Sequence, residues 1–307
     1  MLWILAVVIT SVRMTGAVLG LPFSDASVRS FAPSAMATAA TVTILLCMAV
    51  TVATRAVRPA ATWPALVTFA AVIVTTAAVV TGSLLPLLAT VAFGCLAWLG
   101  GELLLALMPH SPSVAPVRVP LAAGLGTGMF GLLWLILGVI QRLDAASVLI
   151  ASALTLAALI LVARQTTGNW PAISAEWDRT PPDWYETVLL SLSGGLITFA
   201  LLAAFVPENV SDATRQHLPI AREFWQSHGA LVLASMPVSG QTIQNHIIFA
   251  VAYGFGGVTA ANLFQAVIGL ASIAGVAGLG WLLAGRFAAV IAASVFGAMP
   301  LVLWELG

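Results

Sequence analysis

Leu85-Pro-Leu-Leu-Ala-Thr-Val-Ala-Phe-Gly-Cys-Leu-Ala-Trp-Leu-Gly-Gly-Glu-Leu-Leu-Leu-Ala-Leu107 decides the fold class. One carboxylate, Glu102, interrupts a run that otherwise supplies the about 20 apolar residues a helix needs to cross bilayer hydrocarbon. A membrane strand would instead alternate in hydrophobicity over about 10 residues, and this run is uniform. Comparable runs recur near 2–21, 35–53, 63–81, 121–140, 146–163, 187–206, 262–284 and 287–304, so the sequence predicts an all-α, polytopic membrane protein with about nine transmembrane helices. Polar or turn-rich joints separate them, such as Arg55-Ala-Val-Arg58-Pro59 and the stretch from Pro109 to Pro120.

Composition agrees. Of 307 residues, 61% are hydrophobic and 7% charged, the formal net charge is zero, and there is no lysine. A soluble domain carries about 25% charged residues. The balance excludes an ordinary soluble globule, a disordered chain, a disulfide-rich secreted module and a basic nucleic-acid binder. The 26 glycines fit membrane helices, which approach closely through small residues. Gly94, Gly100, Gly101 and the set Gly254, Gly256 and Gly257 lack Walker or dinucleotide signatures and read as packing and turn residues. Cys47 and Cys95 sit in apolar stretches and read as small core hydrophobes.

Ionised groups inside a bilayer are expensive. Arg13, in the first and weakest span, is expected to snorkel or to pair with a neighbour. Glu102, about one and a half turns from its helix end, is expected to snorkel. The stretch Ile247 to Phe255, between Asn245-His246 and Gly256-Gly257, is too short to span and reads as a re-entrant or interfacial helix. With that choice and the N-terminus inside, Arg55, Arg58, Arg118, Arg164, Arg179 and Arg286 fall in inner loops. Arg29, Arg142, Arg215 and Arg222 fall in outer ones, a thin margin for the positive-inside rule.

Two polar islands divide the chain. Residues 164–186 hold Glu176, Asp178, Arg179, Asp183 and tryptophans at 170, 177 and 184. Thr180-Pro181-Pro182-Asp183 favours an extended path, because proline disfavours helical geometry in the preceding residue. The island reads as a cytoplasmic linker between a six-helix membrane bundle, 1–163, and a second module, 187–307. The other island, from Pro207 to Gln244, is extracytoplasmic on this reading. Ser211 or Asp212 can cap a helix there, and Gly229 can stop it. Leu218, Ala221, Phe224, Trp225 and His228 fall at spacings of three and four, the pattern of an amphipathic helix lying on the membrane surface. Asp212, Arg215 and His217 crowd its start, where a carboxylate can serve as general base and an arginine can hold a phosphate. On spacing alone, a capping aspartate with two solvated neighbours is the reading favoured. His246 and Asn245 open the short helix, where His246 has a capping role or faces the same site. The four histidines show no metal-ligand spacing. Asn209-Val210-Ser211 matches a glycosylation acceptor and carries little weight.

A span, a loop reading Asp212-Ala213-Thr214-Arg215-Gln216-His217-Leu218-Pro219, then an amphipathic helix ending at Gly229, resembles the first external loop of the GT-C membrane glycosyltransferases. The similarity is to their bacterial integral-membrane branch, related to the dolichyl-phosphate-mannose-type transferases of family 39. Members often show Asp-Ala-x-x-Tyr-His-Leu-Pro; here Gln216 replaces the aromatic residue. The resemblance covers about 187–307 and leaves the first six spans unmatched. It implies inverting transfer of a sugar from a polyprenyl-phosphate-linked donor to a glycan, lipid or protein acceptor on the outer face of a bacterial plasma membrane. Asp212 would be the catalytic base, with Arg215, His217, Arg222 and His246 as substrate-binding residues. It names no certain cofactor, leaves room for a divalent metal, and involves membrane lipids but no nucleic acid. The family places another acidic motif beyond the span that ends here near Glu305, so the chain is expected to be the opening part of such a module.

Two other classes stay open: a secondary transporter or lipid flippase, and an inactive membrane scaffold or fragment. A transporter carries paired polar residues at mid-membrane, where only Arg13 and Glu102 qualify, and no inverted repeat is visible. An enzyme of the GT-C kind keeps its polar groups in the external loop.

Overall fold

A computed structural model describes residues 33–108, 112, 114–167, 180–205, 217–230 and 243–299. Eight α-helices follow one another: α1 (Pro33–Val57), α2 (Thr62–Val80), α3 (Leu84–Ala106), α4 (Ala115–Val139), α5 (Ala145–Thr167), α6 (Trp184–Ala203), α7 (Leu218–Gln226) and α8 (Ile243–Gly297). A 3-10 turn, Pro59–Ala61, joins α1 to α2. All but α7 are long and apolar enough to cross a membrane, which gives seven candidate spans and makes the chain an integral membrane protein. The surface agrees, for Leu45, Val67, Leu88, Leu132, Leu154 and Leu279 all point outward. Patches of that extent on a water-soluble monomer would drive association.

The predicted count of nine is not confirmed. The first predicted span, with Arg13, lies outside the described residues, and the last two are parts of α8. At 55 residues α8 would be about 80 Å long if straight. Instead it breaks twice, at Gly256-Gly257 and at Ala284-Gly285. In each break the first residue has φ −160° or −149° with ψ near 20°, and the glycine has φ +66° or +78° with ψ −157° or −164°. Essentially glycine alone occupies that region, so Gly257 and Gly285 are chain-direction switches written into the sequence. They divide α8 into segments 243–255, 258–283 and 286–297. The first is about 20 Å long and the second about 39 Å.

Successive helices run antiparallel. One end of the bundle, the α7 end, gathers the α2–α3 and α4–α5 joints, α7 and the first segment of α8. There Gly256 packs on Pro86, and the Leu143 amide donates to the His228 carbonyl at 2.9 Å. The other, the arginine end, gathers the α1–α2 and α3–α4 joints, the start of α6 and the second α8 break, where Gly278 meets Pro116.

Small residues set the closest contact. A β-carbon on Gly101 would sit 1.7 Å from the Ala122 carbonyl oxygen, and one on Gly126 would sit 1.6 Å from that of Ala97. Helices α3 and α4 therefore meet backbone to backbone, as small residues allow in membranes. One core joins Phe93, Phe130 and Trp134 to Leu143, Val148, Ile220, Phe224, Ile247, Val251 and Phe264. A second, around Cys47, Leu66, Phe69 and Ile73, holds α1, α2 and α6 together. Cys47 is buried as expected, but Cys95 is exposed on the outer face of α3. Uniformly apolar helices carry no periodicity to say which face turns inward.

Candidate functional site

The α7 end brings together residues far apart in the chain. Helix α7 is shorter than the amphipathic stretch suggested, with Pro219 in its first turn. Ile220, Ala221 and Phe224 are its buried face, while Arg222 and Glu223 are exposed. His228 is exposed too, so it does not close the apolar face. It ends the helix instead: its φ is +55°, and the next amide, Gly229, donates back to Phe224 at 3.0 Å. The stop thus falls one residue before the glycine. Ala230 then donates to the Gly138 carbonyl at 3.0 Å, seating the chain on α4.

The first segment of α8 lies against this helix. His246 is fully buried in the fourth position of α8, inside the helix, so it is not a cap. Its Nε2 is 3.0 Å from Nδ1 of His217, and Phe224 meets its ring edge-on with centroids 6.3 Å apart. Gln244 donates to the Gly128 carbonyl at 3.2 Å, and Gly254 leaves room for the Trp225 ring. Asp144 caps α5 nearby, accepting from the Ser147 amide at 3.0 Å and hydroxyl at 2.7 Å. Those bonds hold its carboxyl below the usual carboxylate range.

Of the residues singled out from the sequence, His217 and His246 are in hydrogen-bond contact. Arg222, five positions after His217, is about 140° around the helix from it. Asp212 and Arg215 lie outside the described residues, as do His110, Arg179, Glu305 and the Asn209-Val210-Ser211 stretch. Among the described residues no group of three or more His, Cys, Asp or Glu is placed to hold a metal ion. The two imidazoles could supply two nitrogen ligands at most.

The arginine end carries polar contacts that sequence reasoning missed. Glu102 does not snorkel: it is 3% exposed, and its Oε2 accepts from Nε of Arg118 at 2.7 Å. Arg286, at the second break of α8, pairs with Glu186 at 2.6 Å and also donates to the Thr180 carbonyl at 2.8 Å. Glu186 in turn accepts from the Asp183 amide at 2.8 Å in a capping box that starts α6. Arg55 reaches the Pro182 carbonyl and the Thr187 hydroxyl. Asp183, the last residue of the Thr180-Pro181-Pro182-Asp183 stretch, is extended, with φ −65° and ψ 167°, where it caps α6. One signal for the first pair was available: opposite charges flanking a short joint between consecutive spans.

Comparison with protein-family models, with curated proteins and with solved structures finds no match for this chain.

Proposed function

We propose that the protein is a membrane glycosyltransferase of the GT-C kind, moving a sugar with inversion from a polyprenyl-phosphate donor to an acceptor outside the plasma membrane. The observation that carries the reading is the contact of His217 with His246 at the α7 end. It puts His217, near the end of the Asp-Ala-(x)3-His-Leu-Pro stretch, beside His246, the other histidine that the resemblance implies for substrate binding. Charge placement supports the sidedness. Among the described residues Arg55, Arg58, Arg118, Arg164 and Arg286 lie at the arginine end, and Arg142 and Arg222 at the α7 end. The positive-inside rule puts the arginine-rich end in the cytoplasm, which leaves the α7 end outside.

The second consideration is where charge is missing. No described charged residue lies in the middle third of a span, the region in which a transporter holds its ions and substrate. In the proposed reaction Asp212 takes the acceptor hydroxyl proton as the oxygen attacks the anomeric carbon. The bond from that carbon to the phosphate oxygen breaks, and Arg215 offsets the charge on the departing phosphate. His217 and His246 contribute to the donor-phosphate side of the site.

Asp212→Asn keeps the side-chain shape and capping ability but cannot accept the proton. Its transfer rate from a polyprenyl-phosphate-linked sugar is expected to fall by about 10²–10⁴, with insertion and thermal unfolding unchanged. Near wild-type transfer in this variant removes Asp212 from the mechanism, and absence of transfer by the wild-type chain with every such donor removes the reading.

A further inference from the structure

Glu102 has two carboxylate oxygens, and the ion pair with Arg118 accounts for one of them. Oε2 accepts from Nε of Arg118 at 2.7 Å, while Oε1 is buried and has no hydrogen-bond partner. One helical turn earlier on α3, Nε1 of Trp98 is likewise buried and without a partner. Most buried polar atoms in folded proteins are satisfied, and leaving one bare costs its full desolvation. A charged oxygen costs more than a neutral one. The Glu102 side chain is only 4% exposed, so open solvent does not supply the missing bond.

The two atoms are complementary and near in register. Trp98 offers an N–H and no acceptor, and an ionised Glu102 offers an acceptor and no hydrogen. Residues four apart on a helix share a face, with β-carbons about 6 Å apart. Gly94, a further turn back, belongs to the same face, and a β-carbon there would lie 3.7 Å from Val267. That face of α3 is therefore turned toward the second segment of α8. The indole and the carboxylate do not bond to each other, but one small molecule spans about 6 Å with two hydrogen bonds of ordinary length. Nδ2 of Asn262 and Oγ of Ser294 are also buried without partners, yet neither has a second such atom one turn away on its own helix.

Whatever bridges Trp98 and Glu102 must accept from an N–H and donate to a carboxylate. A cation has no lone pair for the indole, and an anion is repelled by Glu102. A hydroxyl does both. We infer that Trp98 and Glu102 hold one water molecule between them inside the bundle, its oxygen accepting from the indole and one of its hydrogens donated to Oε1. Water is the smallest hydroxyl, and buried waters occupy sites with two or more polar partners. It completes the hydrogen bonding of the carboxylate that Arg118 holds from the other side. Trp98 is thus a positioning residue that acts on the ion pair through this water. The inference is independent of the transferase reading.

The chain has ten tryptophans, and in a ¹⁵N-tryptophan-labelled sample the Trp98 indole is assigned with Trp98→Phe. The bilayer is a phosphatidylcholine nanodisc, whose headgroups carry no hydroxyl. The Trp98 N–H should show cross-relaxation from the water resonance. In Glu102→Leu combined with Arg118→Met, which takes away the acceptor, that signal should be lost. Trp98→Phe should lower the folding equilibrium constant about tenfold more in the wild type than in the double variant, where the donor has already lost its water. Packing lost with the indole is common to both backgrounds and cancels. Absence of cross-relaxation at Trp98 in the wild type overturns the inference, and so does a signal that survives in the double variant. An effect of Trp98→Phe equal within about twofold in the two backgrounds overturns the link to the ion pair.

Discussion

At the arginine end Glu102 and Glu186 are each held by a guanidinium, one pair tying the consecutive helices α3 and α4 and the other tying α6 to α8. At the α7 end the charged side chains of α7 are exposed, and the buried polar contact is between two imidazoles. The first arrangement locks α3 to α4 and the second α8 break to α6. The second is built from the one side chain whose ordinary pKa lies between about 5 and 8. Among the described residues His217, His228 and His246 are all at that end. The difference teaches that the two ends of one bundle can join their helices by different chemistry, guanidinium–carboxylate pairs at one and an imidazole pair at the other.

Three perturbations break or sharpen this contrast. The largest effect is expected for Glu102→Ala, which removes the buried carboxylate that Arg118 pairs with. It should cost about 3–5 kcal/mol in unfolding measured in micelles, and Glu102→Leu combined with Arg118→Met should recover most of that. A cost below about 1 kcal/mol, the scale of an exposed pair, would mean that the arginine end is not locked by this contact.

Next come the two chain-direction switches, which share one backbone geometry but have different surroundings. Gly257→Ala and Gly285→Ala should each cost about 1–3 kcal/mol, the strain of a side chain in a glycine-only region. The proposed sugar transfer should fall only for Gly257→Ala, since that break bounds the segment carrying His246. The reverse pattern in activity would place the working site at the arginine end.

The smallest effect concerns the cap of α5. Asp144→Ala should cost about 1 kcal/mol at neutral pH. The folded-state carboxyl is held below its unfolded value, about 3.9. Its contribution is therefore fully present above that value and is lost as pH falls through the folded pKa. The unfolding difference between wild type and variant should accordingly shrink below about pH 4. A difference that grows on acidification would show that the carboxylate does not act as the cap.

Much of the fold was legible residue by residue. The apolar runs predicted the ends of α1 to α6 to within four positions except the start of α4, which lies six residues earlier than expected, and Gly256-Gly257 marked the place where the short helix ends. The Gly100-Gly101 step read correctly as a packing site. Cys95 was misread because its span is apolar on every side, so nothing local says which face meets the core. Glu102 was misread because a lone carboxylate near a helix end has two ways to avoid hydrocarbon, and its neighbours in sequence do not distinguish snorkelling from pairing.

By itself the sequence determined the all-helical membrane class, the positions of the long helices and the two breaks in α8. Each follows from a local requirement: hydrocarbon leaves backbone groups no partner but their own helix, and a glycine-only conformation needs a glycine. Tertiary structure decided which polar residues meet. His217 and His246 are 29 positions apart, Glu102 and Arg118 are 16, and Glu186 and Arg286 are 100. Those contacts depend on how antiparallel helices are ordered and rotated around two shared cores. Helix rotation is set by small-residue packing such as Gly101 on Ala122, and that is a property of two surfaces together, which neither helix specifies alone.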